Sequence, residues 1–202
     1  MRPTILVDID DTITNHVNVW IKWLNRKFGV VINYEDISYW NYFNDLNRIY
    51  EIDKENIFYP HTQEAFWREI MIFPNATTAL ENWVKLGYQV YLVSNSSPTN
   101  EALGYKIQRT LDCFNENLIN EDNVIIAKDK HMIYSDVIID DKLDTVFRWY
   151  DFHKYDKSLG IIPKRPWNTY DLDISLMDFM AQNEEWKNIE KDVNTFFSKK
   201  WK

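Results

Sequence analysis

Short apolar runs recur along this chain, at Thr4–Val7, Tyr88–Val93, Asn123–Ala127, Val137–Ile139 and Leu159–Ile162. Several are apolar at every position instead of alternating with polar residues. A strand with one face in water alternates, whereas a strand covered on both faces does not. Helical stretches separate the runs. Ala76–Leu86 reads as a helix entered at Pro74-Asn75 and closed at Gly87, and a second covers Thr99–Leu111. Strands alternating with helices specify an α/β fold with a doubly wound parallel sheet and helices on both faces.

The interval between the first two strands is too long for one crossover. Val17, Trp20, Ile21, Leu24 and Phe28 fall on one helical face that Gly29 closes, and aromatic clusters follow at Tyr39-Trp40-Asn41-Tyr42 and Phe66-Trp67. Residues 15–72 are therefore expected to form a small helical cap, inserted into an α/β core made of residues 1–14 and 73–202. The tail from about Ile174 to Trp201 is expected to be helical. Trp186, Ile189, Val193, Phe196 and Phe197 would form its apolar stripe, and Lys199–Lys202 a frayed end.

Composition narrows the chemistry. Only four of 202 residues are Gly, and neither G-x-G-x-x-G nor G-x-x-x-x-G-K-[ST] occurs, so a glycine-rich phosphate loop is not expected. A phosphate would have to be held by a metal, by lysine or by amides at helix starts. The net charge of −8 argues against stable nucleic-acid binding across a broad face. Cys113 is the one cysteine, which removes disulfide frameworks and cysteine-rich zinc sites. No run is apolar enough to span a membrane, and Asp8 comes too early for a secretory signal, so a cytoplasmic protein is expected. Aromatic residues reach 16%, enough to fill a core and still line a pocket for a flat ligand.

Four polar elements stand just after apolar runs. Asp8 and Asp10 follow the first, Ser94-Asn95-Ser96 the second, Lys128 and Lys130 the third, and Asp140-Asp141 the fourth. Ligands of open α/β sheets bind beyond the carboxyl ends of the strands, so parallel strands would bring all four to one place. Asp8 and Asp10, spaced i and i+2, would leave a strand on the same side. Two such carboxylates repel unless a cation or proton lies between them, and a hard divalent cation such as Mg²⁺ suits them, with a phosphate as substrate. Asp11 reads as an exposed turn acid and Thr12 as a turn-fixing residue. His16 follows closely enough to face the cleft, although a packed histidine fits the sequence equally well. His61, His131 and His153 show no zinc-like spacing.

The order D-x-D-x-T at Asp8–Thr12, strand-terminal Ser94, Lys130 and the pair Asp140-Asp141 resembles the haloacid dehalogenase-like superfamily of aspartate-nucleophile phosphatases. Within it, Lys128-Asp129-Lys130, then Val137-Ile138-Ile139, then Asp140-Asp141-Lys142 resemble the 5′(3′)-deoxyribonucleotidases, which commonly carry Arg where Lys128 stands and Thr where Ser94 stands. The resemblance implies Asp8 as nucleophile and Asp10 as acid and base. It implies a Mg²⁺ held by Asp8, the Asp10 carbonyl and Asp141, with Asp140 orienting them. Ser94, Asn95 and Lys130 would hold the phosphoryl group. Substrate contacts would come from His16, Tyr39, Trp40, Asn41 and Lys128, with Trp40 stacking on a base. Phe66, Trp67 and Trp20 are assigned to packing. A nucleotide partner and a homodimer are implied as well.

The expectation is thus a Mg²⁺-dependent phosphomonoesterase acting on (deoxy)nucleoside 5′-monophosphates through an aspartyl-phosphate. Rival readings are the same chemistry on a sugar phosphate or a nucleic-acid terminal phosphate, and a non-catalytic nucleotide-binding domain that kept the fold. Dehalogenation is disfavoured, because a halide leaving group has no need of the proton that Asp10 would supply.

Overall fold

A computed structural model describes residues 2–97, 99–153, 157–169, 180–183 and 185–200. The described residues hold a six-stranded, all-parallel sheet formed by β1 (Thr4–Asp8), β2 (Gln89–Ser94), β3 (Val124–Ile126), β4 (Val137–Ile139), β5 (Leu159–Pro163) and β6 (Met180–Asn183). Their order across the sheet is β3-β2-β1-β4-β5-β6. The chain winds outward from β1 through β2 and β3, then returns to the other side of β1 at β4. The reversal leaves a crevice between the carboxyl ends of β1 and β4.

The uninterrupted apolarity of the strands has a direct cause. Ile5 and Val7 of β1, Val90 and Leu92 of β2, and Val137 and Ile139 of β4 enter one buried cluster. Leu6, Val93 and Ile138, the residues between or beside them, enter a second cluster on the opposite face. The first face is covered by α5 (Ala76–Lys85) and α8 (Trp186–Lys200), through Leu80, Trp83, Ile189 and Val193. The second is covered by α7 (Leu143–His153), through Val146 and Trp149. Each fully buried side chain of this size is worth about 1.5–3 kcal/mol relative to exposure, so neither face tolerates a polar alternation.

Residues 16–70 form mostly short helices: α1 (His16–Phe28), α2 (Leu46–Tyr50), α3 (Lys54–Phe58) and α4 (Glu64–Glu69), with 3₁₀ turns between them. Leu24, Leu46, Ile57 and Phe66 centre an apolar cluster of their own, which also takes in Trp167 from beyond β5. Helix α1 ends where the sequence predicts, at Gly29, whose φ of 66° permits a left-handed cap and whose N–H donates to the Asn25 carbonyl at 3.0 Å. The two ends of the segment, one soon after β1 and the other just before α5, lie side by side. Thr14 and Ile72 form an antiparallel bridge, and the Phe73 N–H donates to the Ile13 carbonyl at 2.8 Å.

Three local expectations are corrected. The tail is not one helix. Residues 170–179 lie outside the described residues, Met180–Asn183 pairs with β5 as an edge strand, and α8 begins only at Trp186. Nor is Lys200 frayed, since its ammonium donates to Asp136 at 2.6 Å and to the Lys157 carbonyl, while Trp201 and Lys202 lie outside the described residues. Asp11 is buried rather than exposed, at a φ of 55°. Its carboxylate accepts from the Val17 N–H at 2.9 Å, a negative charge placed on the amides that open α1.

Candidate active site

Strand β1 ends at Asp8, so Asp10 belongs to the turn that follows rather than to the strand, and the two carboxylates have different partners. Asp8 accepts from the Lys130 ammonium, which also donates to Asp140 at 2.7 Å. Asp10 instead meets Lys106 of α6 (Asn100–Leu111), whose ammonium donates to Asp10 at 2.5 Å, to the Ser94 hydroxyl at 2.8 Å and to the Asn95 carbonyl at 3.5 Å. Lys106 is a residue that sequence reasoning missed. Its signal lay in the helix: Ala102, Lys106 and Thr110 share the buried face at i, i+4 and i+8, and a lysine on such a stripe requires a partner inside.

Asp140 and Asp141 sit at the end of β4, across the crevice from Asp8. Oxygens of Asp8, Asp140 and Asp141 lie within 4.8 Å of one another, and all three residues are buried. Thr12 ties them together. Its hydroxyl is 3.3 Å from Asp8 and 3.2 Å from Asp141, and accepts from the Asp141 N–H at 2.9 Å. Both Asp140 oxygens are engaged, one by Lys130 and the other by the Lys142 N–H at 2.9 Å. Asp141 receives the Trp167 indole N–H at 2.9 Å, and its main-chain carbonyl receives the Asn168 amide at 2.7 Å.

The electrostatics show a shortage of positive charge. Burial pushes Asp8 up to about 7, with Asp140 and Asp10 adding to the shift and Lys130 opposing it. Burial, followed by the charges of Asp8 and Asp140, pushes Asp141 well above the ordinary carboxylate range. Lys130 moves the other way from what its burial would cause, because Asp140 and Asp8 hold its proton. Three buried carboxylates facing one ammonium form an all-oxygen donor set with charge to spare, and that set fits a hard divalent cation. At Asp10 burial would raise the pKa, but Lys106 and then His16 overcome it and hold the group down to about 2.

His16 is buried at the start of α1, between the turn after β1 and the aromatic residues Trp20, Phe66 and Trp67. Its Nε2 lies 3.0 Å from Nε2 of His61, and its Nδ1 faces Asp11 at 3.6 Å. Burial opposes a charge on His16, yet Asp10 and Asp11 raise its pKa. Burial and then His16 drive His61 down to about 3. The two rings are therefore driven apart, His16 towards its charged form and His61 towards its neutral one, and Nδ1 of His61 lies 3.2 Å from the Phe58 carbonyl.

A cavity of about 250 Å³ opens beside Asp10, Asp11 and His16. Trp20, Phe43, Phe58, Trp40 and Trp167 supply its aromatic walls, and Asn41 and Asn44 its amides. Trp40 is 43% exposed at the rim, with the Lys142 ammonium 5.3 Å from its ring. The structure thus brings together Asp8, Asp10, Ser94, Lys130, Asp140 and Asp141, with Asn95 exposed alongside and His16, Trp40 and Asn41 on the cavity. Two expected substrate residues do not join them. The Tyr39 hydroxyl donates to Asp45 and the ring stays off the cavity wall, while Lys128 is exposed beyond β3 and outside both groups. Trp20 packs face to face with Phe43 at 3.7 Å, and Phe66 and Trp67 are buried, as their packing assignment requires.

The sequence model of the family described as 5′ nucleotidase, deoxy (pyrimidine), cytosolic type C protein matches residues 2–168. A 5′(3′)-deoxyribonucleotidase of Bacillus subtilis (strain 168) is 22% identical over 144 residues, covering 70% of this chain and 77% of that protein. A 5′(3′)-deoxyribonucleotidase of Bacillus phage SPbeta matches with the same identity and coverage. Among solved structures, a HAD family hydrolase from Deinococcus radiodurans R1 with bound phosphate and sodium superposes with a TM-score of 0.61 at 12% identity, over 96% of each chain. A haloacid dehalogenase-like family hydrolase from Xanthomonas campestris gives 0.58 at 12% identity, over 98% of this chain and 93% of that one.

Proposed function

The chain belongs to the 5′ nucleotidase, deoxy (pyrimidine), cytosolic type C protein family and is a phosphatase of the 5′-nucleotidase kind; on that premise we propose that it hydrolyses deoxynucleoside 5′-monophosphates through an aspartyl-phosphate on Asp8, with Mg²⁺ as cofactor. The observation that carries this reading is the meeting of Asp8, Asp140, Asp141 and Lys130 at the β1/β4 crevice, beside an aromatic cavity that Asp10 also lines.

Asp8 attacks phosphorus, and the ester oxygen leaves with a proton from Asp10, giving a nucleoside and the acyl phosphate. Water then attacks the same phosphorus, Asp10 takes the water proton, and inorganic phosphate departs as Asp8 is restored. Asp10 is ionised in the free protein, so it must be loaded with a proton. A phosphate dianion seated between Asp8 and Asp10 raises its proton affinity by like-charge repulsion. Lys130 and Ser94 hold phosphoryl oxygens as charge moves onto them, and the Asn95 amide donates from the rim. Asp8, the Asp10 carbonyl and Asp141 would hold the Mg²⁺, leaving Asp140 to fix Lys130. Held there, the cation would offset phosphate charge and favour the ionised form of Asp8.

Residues 15–72 act as the cap of the reading, closing the base over the site. Trp40 stacks on the base and Asn41 meets its edge. Among the described residues no helix is long and apolar enough to cross a membrane. The reading includes a cytoplasmic setting and a homodimer.

Phosphate release from a panel of deoxy- and ribonucleotides, sugar phosphates and 3′-phosphorylated oligonucleotides, with and without EDTA, tests the substrate and the metal. Turnover should favour deoxynucleotides and stop with EDTA. Asp8→Asn should abolish it while the fold survives, because an amide of the same size cannot form the acyl phosphate. Activity near wild type in that variant refutes the mechanism.

A further inference from the structure

Trp167 meets both halves of the site. It follows β5 in Lys164-Arg165-Pro166-Trp167-Asn168, it is buried, and no sequence motif singled it out. Its indole N–H donates to Asp141 at 2.9 Å, and its ring lines the 250 Å³ cavity. The turn around it is built on Asp141: the Asn168 amide donates to the Asp141 carbonyl at 2.7 Å and to the Pro163 carbonyl at 2.9 Å, and its oxygen accepts from the Arg165 N–H at 2.7 Å. On the cavity side the Trp167 ring meets Trp40 edge-on, with centroids 6.1 Å apart at 70°, and Tyr34 at 5.8 Å and 74°.

We propose that Trp167 couples the occupancy of the nucleoside pocket to the affinity of the cation site, its N–H fixing the Asp141 carboxylate and its ring forming the wall on which the nucleoside packs. This rests on the nucleotidase reading given above. A neutral donor fixing a ligating carboxylate commonly sets metal affinity by tenfold to a hundredfold. A ring packed into the cavity holds the indole plane, and the indole plane aims the N–H at Asp141. Any gain in cation affinity from the nucleoside must be matched by an equal gain in nucleoside affinity from the cation.

Mn²⁺ binding, followed by the loss of the free-ion electron paramagnetic resonance signal, reads the coupling without turnover. The probes are Mn²⁺ alone and Mn²⁺ with each of the four deoxynucleosides. Wild type should bind Mn²⁺ more tightly with the deoxynucleoside it accepts. Trp167→Phe keeps a ring on the wall but removes the N–H, so Mn²⁺ binding should weaken about tenfold or more, and the enhancement should vanish. Trp40→Ala keeps the N–H and removes the opposing ring. The nucleoside enhancement of Mn²⁺ binding should be lost in it. Unchanged Mn²⁺ affinity in Trp167→Phe, or a wild type that binds Mn²⁺ and nucleoside with no enhancement, overturns the coupling and leaves the nucleotidase reading standing. A wild type that binds neither Mn²⁺ nor any deoxynucleoside overturns both.

Discussion

Replacing Lys106 with Met tests whether the second buried lysine serves the chemistry. The Lys106 side chain is 4% exposed, and its ammonium makes two strong contacts, 2.5 Å to Asp10 and 2.8 Å to Ser94. Hydrogen bonds involving a charged group are worth about 1.5–3 kcal/mol each. The Asp10 side chain is 28% exposed, so water replaces part of what it loses. A combined loss of about 2–4 kcal/mol corresponds to a fall in kcat/KM of roughly 30- to 1000-fold. Lys106 positions the carboxyl proposed to protonate the leaving oxygen; its removal lets Asp10 take up a proton more easily, but a misplaced acid should still cost a deoxynucleotide more than p-nitrophenyl phosphate, whose aryl oxide leaves with less need of a proton. Steady-state phosphate release on both substrates, with a thermal melt to show that the variant is folded, measures the difference. A folded variant with kcat/KM within threefold of wild type, or with equal losses on the two substrates, refutes the assignment.

Trp40→Ala should raise KM for deoxynucleotides by about five- to 150-fold, since stacking one base on an aromatic ring is worth about 1–3 kcal/mol. The half-exposed rim position of Trp40 favours the lower part of that range, and p-nitrophenyl phosphate should be scarcely affected. Equal losses on both substrates would show a collapsed cap. His61 makes the fold acid-sensitive. Its native pKa lies near 3, below the ordinary 6.5, so stability from its neutral form is full above 6.5 and is lost as pH falls towards 3. His16, raised, contributes the opposite slope, with stability present below 6.5 and lost as pH rises through its native value. His61→Phe should therefore lose less stability than wild type between pH 6 and 4, by on the order of 1 kcal/mol per pH unit. Urea unfolding at several pH values reads this, and parallel acid curves for the two proteins would refute it.

The strands and the clustered carboxylates were legible because their signals are local. Val137-Ile138-Ile139 is apolar throughout since both sheet faces are covered, and Asp8 and Asp140-Asp141 stand where such runs stop. Signals that depend on tertiary placement were not legible. Lys106 looks like any surface lysine until α6 is laid against the turn after β1. Trp167 is one of nine Trp, and only the return of the chain after β5 sets its N–H on Asp141. Asp11 passes for a solvated turn acid because its partner, the Val17 amide, is freed only once α1 begins. Edge strand β6 escaped because an edge needs less apolar cover than the centre of a sheet, and Met180-Ala181-Gln182-Asn183 carries half its positions polar.

The bridge between Thr14 and Ile72 joins the chain soon after β1 to the chain just before α5, with the Asn15 N–H donating to the Met71 carbonyl at 3.0 Å and the Asn15 oxygen accepting from the Met71 N–H at 2.8 Å. Everything from 16 to 70 is therefore an excursion that starts and finishes at one doorway. Closing an excursion costs entropy that grows only with the logarithm of its length, about 0.6 kcal/mol for each doubling. The sheet is nearly indifferent to how long the excursion is. A graft of another lid at this doorway would keep Asp8 and Asp10 in place along the chain, but it would have to bring its own amide for the Asp11 carboxylate and its own counterpart of His16 beside Asp10.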